Sequence, residues 1–356
     1  MRHAVSEAIH LAESGRDIPE EIMREAIGAI LRENIAEETV ARLLTALARK
    51  GEAVCEIVGA AQALREAMVR LETNRSDIVD VVGTGGDRAG TFNVSTATAI
   101  VVAAAGVPVA KHGNRSVTSR SGSADVLREL GVNIEPPLPV VYACLECLGI
   151  CFCFAPRFHP AMKQVAPVRQ KLGFPTIFNL LGPLVNPAGV AFQLLGVGRP
   201  EHRPKLAEVI RRLGTTRTWV VHNSEGLDEL GLEGVNLVSE TTPAGTSEFT
   251  LSPGDWGLPT VSRREITVQD AAESARVIRD VLSGKLVPAR HVVLANSAAV
   301  LRLVGQVSEL PEGIKKAEQA IDSGRAKRLL DLWIRCSHAS TGEEARRICQ
   351  LEGFFN

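Results

Sequence analysis

The sequence predicts an α/β protein that opens with a small all-α portion and is built on a mostly parallel central sheet flanked by helices. Three observations carry this. Residues Glu7 to Glu72 keep helical periodicity and hold few strand formers. After Asn74 the texture changes, and the β-branched run Ile78-Val79-Asp80-Val81-Val82 stops in Gly83-Thr84-Gly85-Gly86-Asp87, the pattern of a strand entering a tight loop. A helix-forming stretch and the short strand Val107-Pro108-Val109-Ala110 follow at once, giving a compact βαβ unit and therefore parallel strands.

The elements follow in order. Breaks at Gly15 to Pro19, near Asn34 and at Gly51 divide the first segment into three or four short helices. Pro19 followed by Glu20 and Glu21 suits a helix start, where proline loses no needed hydrogen bond and acidic groups oppose the positive helix end. Leu43, Leu44 and Leu47 make an apolar stripe. Next come a helix from about Ser95 to Ala105, a helix from Gly122 to Leu130 closed by Gly131, and a buried strand from Gly149 to Phe154. Between Pro167 and Gly189 proline and glycine are dense enough for short helices and crossing loops rather than sheet. Strands are expected at Phe192 to Val197, Thr218 to Val221 and Gly234 to Val238, and a loop at Pro253 to Pro259. Helical patterns return at Ala271 to Leu282 and Ala289 to Leu303, with one long helix from Glu312 to Leu332.

Composition narrows the class. At 356 residues and 45% hydrophobic, the chain fills one large core plus a smaller one, or two of medium size. A formal net charge of -1 lacks the basic surplus that non-specific nucleic-acid binding draws on, so no nucleic-acid partner is expected. The charged, amphipathic N-terminus carries no signal-peptide core, and a cytoplasmic protein is expected. Ala97 to Ala110, the longest apolar stretch, is shorter than the roughly 20 residues a membrane span needs. Of seven cysteines, Cys144, Cys147, Cys151 and Cys153 crowd together, which raises the question of a metal site. Their interleaving with Leu145, Leu148, Ile150, Phe152 and Phe154 favours small buried hydrophobes on a helix end and a core strand.

Chemistry concentrates where strands meet helices. The loop Gly83 to Asn93 frees backbone N–H groups at a positive helix end, a place for an anion and above all a phosphate. It is no P-loop, since Thr91-Phe92 stands where Lys-Ser/Thr is required, and Gly83, Gly85 and Arg88 break the dinucleotide pattern. Asn93, Ser95 and Thr96 place an amide and hydroxyls at the helix start, where plain N-capping is the simpler reading. Lys111-His112-Gly113-Asn114-Arg115 ends the next strand, and strand C-termini of an open parallel sheet share one crevice. Farther on, His159-Pro160 leads to Arg169, a guanidinium suited to a planar carboxylate or to a structural salt bridge. Asp228-Glu229 offers two adjacent carboxylates, suited to Mg²⁺ beside phosphates or to an exposed turn.

Taken together, Gly83-Thr84-Gly85-Gly86-Asp87, Asn93-Val94-Ser95-Thr96, Lys111-His112-Gly113-Asn114-Arg115, Ser121-Gly122-Ser123-Ala124-Asp125 and Thr176 to Pro187 resemble the anthranilate phosphoribosyltransferases, in motif order and spacing over nearly the whole chain. The resemblance implies the nucleoside phosphorylase / phosphoribosyltransferase type of fold. A small helical domain, residues 1–74 plus about 166–186, would dimerise and hinge on a large α/β domain of residues 75–165 plus about 187–356. It implies that Gly83, Gly86, Asp87, Thr91, Asn93, Ser95, Thr96, Lys111, His112, Gly113, Asn114, Arg115, Ser119 and Ser123 hold phosphoribosyl pyrophosphate. Ser95, Asp228 and Glu229 would bind Mg²⁺, and Gly83, Asn114 and Arg169 would meet anthranilate. His112, His159, Pro156 and Gly182 would line the aromatic acid's route, His159 and Gly182 among its contacts. Arg88 stands where the family pattern has glycine, and the tail from about Cys336 to Asn356 exceeds the usual ending, with no role assigned.

The chemistry implied is transfer of a phosphoribosyl group to the amine of anthranilate, giving N-(5-phosphoribosyl)anthranilate and pyrophosphate in tryptophan biosynthesis. Lys111, loop amides and Mg²⁺ would stabilise the departing pyrophosphate. Arg169 would orient the weakly basic amine by gripping the carboxylate, and His112 or His159 would accept the surplus proton. Two other readings compete: a pyrimidine-nucleoside phosphorylase-like enzyme on the same fold, and a non-catalytic nucleic-acid-binding relative. The Lys111 to Asn114 signature with Arg169 weighs against the first, and the charge balance with the intact Asp228-Glu229 pair against the second.

Overall fold

A computed structural model of the chain describes residues 2–86, 89–115 and 122–352. Its centre is a seven-stranded sheet in the order β3-β2-β1-β4-β5-β6-β7. The strands are β1 (Val79–Gly83), β2 (Val109–Gly113), β3 (Ile150–Phe154), β4 (Phe192–Gly196), β5 (Arg217–Asn223), β6 (Asn236–Thr242) and β7 (Gly245–Leu251). From β3 through β5 neighbours are parallel, while β5–β6 and β6–β7 are antiparallel. β1 lies in the middle where the strand order reverses, so the loops leaving β1, β2 and β4 open on one crevice.

Four helices, Arg2–Glu13, Glu20–Arg32, Glu37–Lys50 and Val54–Ala67, fill the N-terminal segment. Pro19 is the N-cap of the second, and Leu43, Leu44 and Leu47 are fully buried as their stripe requires. The core of these helices runs on through Val168, Ile177, Phe178, Leu181 and Val185. It also takes in Leu195 of β4, Val220 of β5 and Leu206 and Ile210 of the helix His202–Leu213, so the bundle is seated on one face of the sheet. The opposite face packs the apolar helices Val94–Ala104, Leu138–Leu148 and Pro288–Leu303.

Several local expectations are corrected. The single helix over 312–332 is two, Leu310–Asp322 and Arg325–Ser337, because Gly324 adopts a φ of 76°, outside the helical region. The expected loop at 253–259 contains a short helix, Pro253–Trp256, whose Asp255 carboxylate accepts the Ser252 N–H at 2.6 Å. β7 and the helices His202–Leu213 and Gly342–Glu352 lie beyond the expected elements, and the helix end expected at Cys144 and Cys147 belongs to the helix Leu138–Leu148. β7 is an edge strand whose Thr246-Ser247-Glu248 stretch is exposed, so it lacks the apolar alternation that marks a strand in sequence. Cys144, Cys151 and Cys153 are buried in the sheet-and-helix core, as small hydrophobes would be. No helix among the described residues is long and apolar enough to cross a membrane.

Candidate functional site

The loop after β1 is shaped by what presses on it. Gly83 and Gly196 are register partners on β1 and β4, and the Asp228 segment lies across both. A Cβ on Gly83 would stand 2.3 Å from Asp228 Oδ2, and one on Gly196 would stand 1.4 Å from the Asp228 carbonyl oxygen. Only glycine lets the acidic segment come this close. Beyond them Gly85 and Gly86 take φ of 67° and 81°, and the Gly85 N–H donates to Asp228 Oδ2 at 2.8 Å. The glycine turn and the acidic pair are therefore one structural unit. Asp228 is 9% exposed with Glu229 beside it.

The start of the helix Val94–Ala104 faces the same space. Asn93 caps it, accepting the Thr96 N–H at 3.0 Å, and the Ser95 hydroxyl donates to Asn93 Oδ1 at 3.2 Å. Lys111, only 2% exposed on β2, donates from Nζ to Ser95 Oγ at 2.9 Å and to the Val81 carbonyl at 2.7 Å. Burial pulls its pKa down, and Asp80, Glu229 and Asp228 oppose that pull. Behind it, the fully buried Asp80 accepts the His112 N–H at 3.1 Å and Asn186 Nδ2 at 2.8 Å. Asp80 is pushed up to about 6 by burial, against the Lys111 charge and these hydrogen bonds. Asn186 also donates to the Ala110 carbonyl at 2.8 Å, which ties the Thr176–Pro187 run to the sheet.

Two histidines close the inner wall, with ring centroids 5.1 Å apart. His112 Nδ1 lies 3.0 Å from the Gly182 carbonyl, an acceptor only, so Nδ1 carries the proton and Nε2 is left as a bare acceptor without a protein partner. Burial first, then the neighbouring His159 and Lys111, lower His112 to about 3. His159, 5% exposed, is lowered to about 4 by burial, partly offset by the Val185 carbonyl. Both rings are neutral at physiological pH.

Arg169, half-buried on the helix Ala166–Leu172, faces the same space. It forms no ion pair among the described residues; its contacts are Asn179 Oδ1 at 3.4 Å and the Phe178 ring at 5.7 Å. Burial lowers its pKa with no carboxylate to compensate. The structural salt bridge is thus not what the fold builds, and an unneutralised guanidinium faces the cavity.

Most of these groups line one cavity of about 1150 Å³, while Asp80, Asn186 and Gly196 are not part of its wall. It brings together Gly83, Gly86, Thr91, Asn93, Ser95, Lys111, His112, Gly113, Asn114, Arg115, Ser123, Pro156, His159, Arg169, Gly182, Asp228 and Glu229. Thr96 is the exception: it is fully buried, its hydroxyl lies in the core without a partner, and it is not part of the wall. Asp87 and Ser119 fall outside the described residues. Sequence reading missed the Asp80–Asn186 pair, although a charge inside an apolar strand was its signal. It also assigned no wall role to Met162, Phe174 and Phe178, apolar residues that line the cavity, the last of them within the Thr176 to Pro187 run and 5.7 Å from Arg169.

The oxygen donors present, Ser95 Oγ and the Asp228 and Glu229 carboxylates, suit a hard cation such as Mg²⁺. No cluster of three or more His, Cys, Asp or Glu residues among the described residues is arranged to hold a metal by itself. A two-carboxylate set of this kind completes its coordination with substrate phosphates and water.

Comparison with known proteins gives the same picture. Residues 75–327 match the α/β domain of a glycosyl transferase family, and residues 6–68 its helical bundle domain. Anthranilate phosphoribosyltransferase of Rhodopirellula baltica is 48% identical over 322 residues, 90% of this chain and 94% of the relative. That of Desulforamulus reducens is 42% identical, over 96% and 99%. The crystal structure of the Thermus thermophilus enzyme superposes with a TM-score of 0.87 at 41% identity, covering 93% of this chain and 99% of that one. The Saccharomyces cerevisiae enzyme in complex with PRPP and Mg superposes with a TM-score of 0.84 at 30% identity, over 94% and 98%. On this fold, this cavity and these similarities, the chain belongs to the anthranilate phosphoribosyltransferases.

Proposed function

We propose that this chain transfers the phosphoribosyl group of phosphoribosyl pyrophosphate to the amine of anthranilate, with Mg²⁺, forming N-(5-phosphoribosyl)anthranilate and pyrophosphate in tryptophan biosynthesis. The observation that carries the reading is one cavity lined both by the glycine turn, the capped helix start and Lys111 and by an Arg169 that forms no ion pair among the described residues. The Gly83 to Gly86 turn, the capped helix start and Lys111 receive the diphosphate, and Arg169 receives the flat acid's carboxylate in a bidentate pair. Held this way, the amine is aimed at the anomeric carbon, and orientation supplies much of the acceleration. As pyrophosphate leaves, negative charge grows on its oxygens beside the turn and Lys111. Mg²⁺, held by Asp228, Glu229 and Ser95, supplies further neutralisation of that charge when bound.

The histidines have another part in this scheme than the expected proton acceptor. Bases at about 3 and 4 hold protons too weakly at neutral pH to act as proton stores. Neutral and held by the Gly182 carbonyl, His112 instead serves as a fixed, uncharged part of the wall, and the proton passes to product or solvent. The helical portion serves as the surface of a homodimer, and the enzyme works in the cytoplasm. Consumption of anthranilate by purified protein given phosphoribosyl pyrophosphate and Mg²⁺ tests the proposal. No consumption, with base released from a pyrimidine nucleoside and phosphate, would overturn it.

A further inference from the structure

The tail beyond residue 336 folds into the helix Gly342–Glu352, which packs on the helices Leu138–Leu148 and Arg325–Ser337. Where the three meet, thiols meet as well. Cys349 Sγ lies 3.3 Å from Cys336 Sγ, and Cys147 stands on the neighbouring helix beside Glu146, which pairs at 3.1 Å with Arg346, one turn before Cys349. Cys336 is fully buried and Cys349 is 6% exposed, whereas Cys147 is half-buried and reaches the surface. A small oxidant entering this cluster therefore meets Cys147 first, and Cys349 is the thiol on the helix packed against it. We infer that Cys147 and Cys349 form an oxidisable thiol pair whose disulfide fastens the C-terminal helix to the helix Leu138–Leu148.

With hydrogen peroxide as the two-electron oxidant, the Cys147 sulfur attacks the O–O bond and becomes a sulfenic acid, and the departing hydroxide leaves as water. The Cys349 sulfur then attacks the Cys147 sulfur, forming S–S and breaking S–O, and a second water carries off the oxygen and the Cys349 proton. The neighbouring thiols and, after them, burial hold both groups above their usual range, so the step is slow at neutral pH and mildly alkaline conditions favour it.

Full-length protein treated with peroxide at mildly alkaline pH, then digested with trypsin without reductant, tests this. Trypsin cuts after Arg346 and Arg347, so the fragment from Ile348 onward stays joined to the Cys147 peptide, two hydrogens lighter than the separate pair, until reductant frees it. Cys147→Ser, at a half-exposed position, abolishes the joined fragment. A fragment joined to Cys336 instead, no Cys349 disulfide at all, or the wild-type yield of a Cys349 disulfide in Cys147→Ser would each overturn the inference.

Discussion

Replacing Arg169 with Gln removes a half-buried cation of the cavity wall that forms no ion pair among the described residues. A bidentate pair with a carboxylate is two charge-assisted hydrogen bonds, each contributing about 1.5–3 kcal/mol. Allowing for residual hydrogen bonding by the amide, the net loss is about 3–4 kcal/mol. At about 1.4 kcal/mol per factor of ten, that raises the anthranilate KM roughly 10²- to 10³-fold. Stability should scarcely change, because the residue's own contacts are one 3.4 Å hydrogen bond and a ring at 5.7 Å, worth under about 1 kcal/mol together. The assay is the fall in anthranilate fluorescence at varied anthranilate and then varied phosphoribosyl pyrophosphate. An anthranilate KM within twofold of wild type, or a loss confined to the phosphoribosyl pyrophosphate KM, would refute the carboxylate assignment.

Other outcomes follow from the same geometry. Gly83→Ala places a Cβ 2.3 Å from Asp228 Oδ2 and forces the carboxylate back by about 1 Å, so kcat/KM for phosphoribosyl pyrophosphate should fall about 10²-fold, as initial rates would show. His112→Asn and His159→Asn should leave the shape of the kcat pH profile unchanged between about pH 6 and 9, and loss of an acid limb in either would restore a proton-acceptor role. The same depressed values link fold stability to acid. Each histidine takes up a proton near 6.5 when unfolded but only near 3 or 4 when folded. Their contribution is complete above the unfolded value and shrinks as pH falls toward the folded one, by about 2 kcal/mol each from pH 7 to pH 5. Urea unfolding at the two pH values measures this, and His112→Asn should flatten the dependence. Chelating Mg²⁺ should abolish turnover while leaving the thermal unfolding temperature unchanged, since Asp228 keeps its Gly85 hydrogen bond without metal.

How much of this the sequence displays depends on how local each signal is. The turn after β1, the Asn93 cap and the Lys111 to Arg115 run are strand-to-helix junctions, each written in a few consecutive residues and each on the cavity wall. Thr96 belongs to the same run, yet helical rotation carries its side chain into the core, a distinction of about 100° per residue that a motif does not show. Asp80 and Asn186 stand 106 positions apart, and only the folded sheet makes them partners. The apolar wall around Arg169 was hidden for a related reason. Met162 and Phe174 lie among many similar residues, and although Phe178 sits in the recognised Thr176 to Pro187 run, folding alone shows which of its side chains face the cavity. The split at Gly324 escaped because glycine is tolerated inside helices, and the apolar pattern continues on both sides.

The central claim is that a diphosphate and a flat aromatic acid occupy opposite ends of one cavity. A crystal structure of this protein with phosphoribosyl pyrophosphate, Mg²⁺ and an unreactive anthranilate analogue tests it most directly. The account predicts diphosphate oxygens beside the loop after β1 and Lys111, with the analogue's carboxylate paired to Arg169. Density for the analogue elsewhere, with Arg169 turned away from it, would contradict the account.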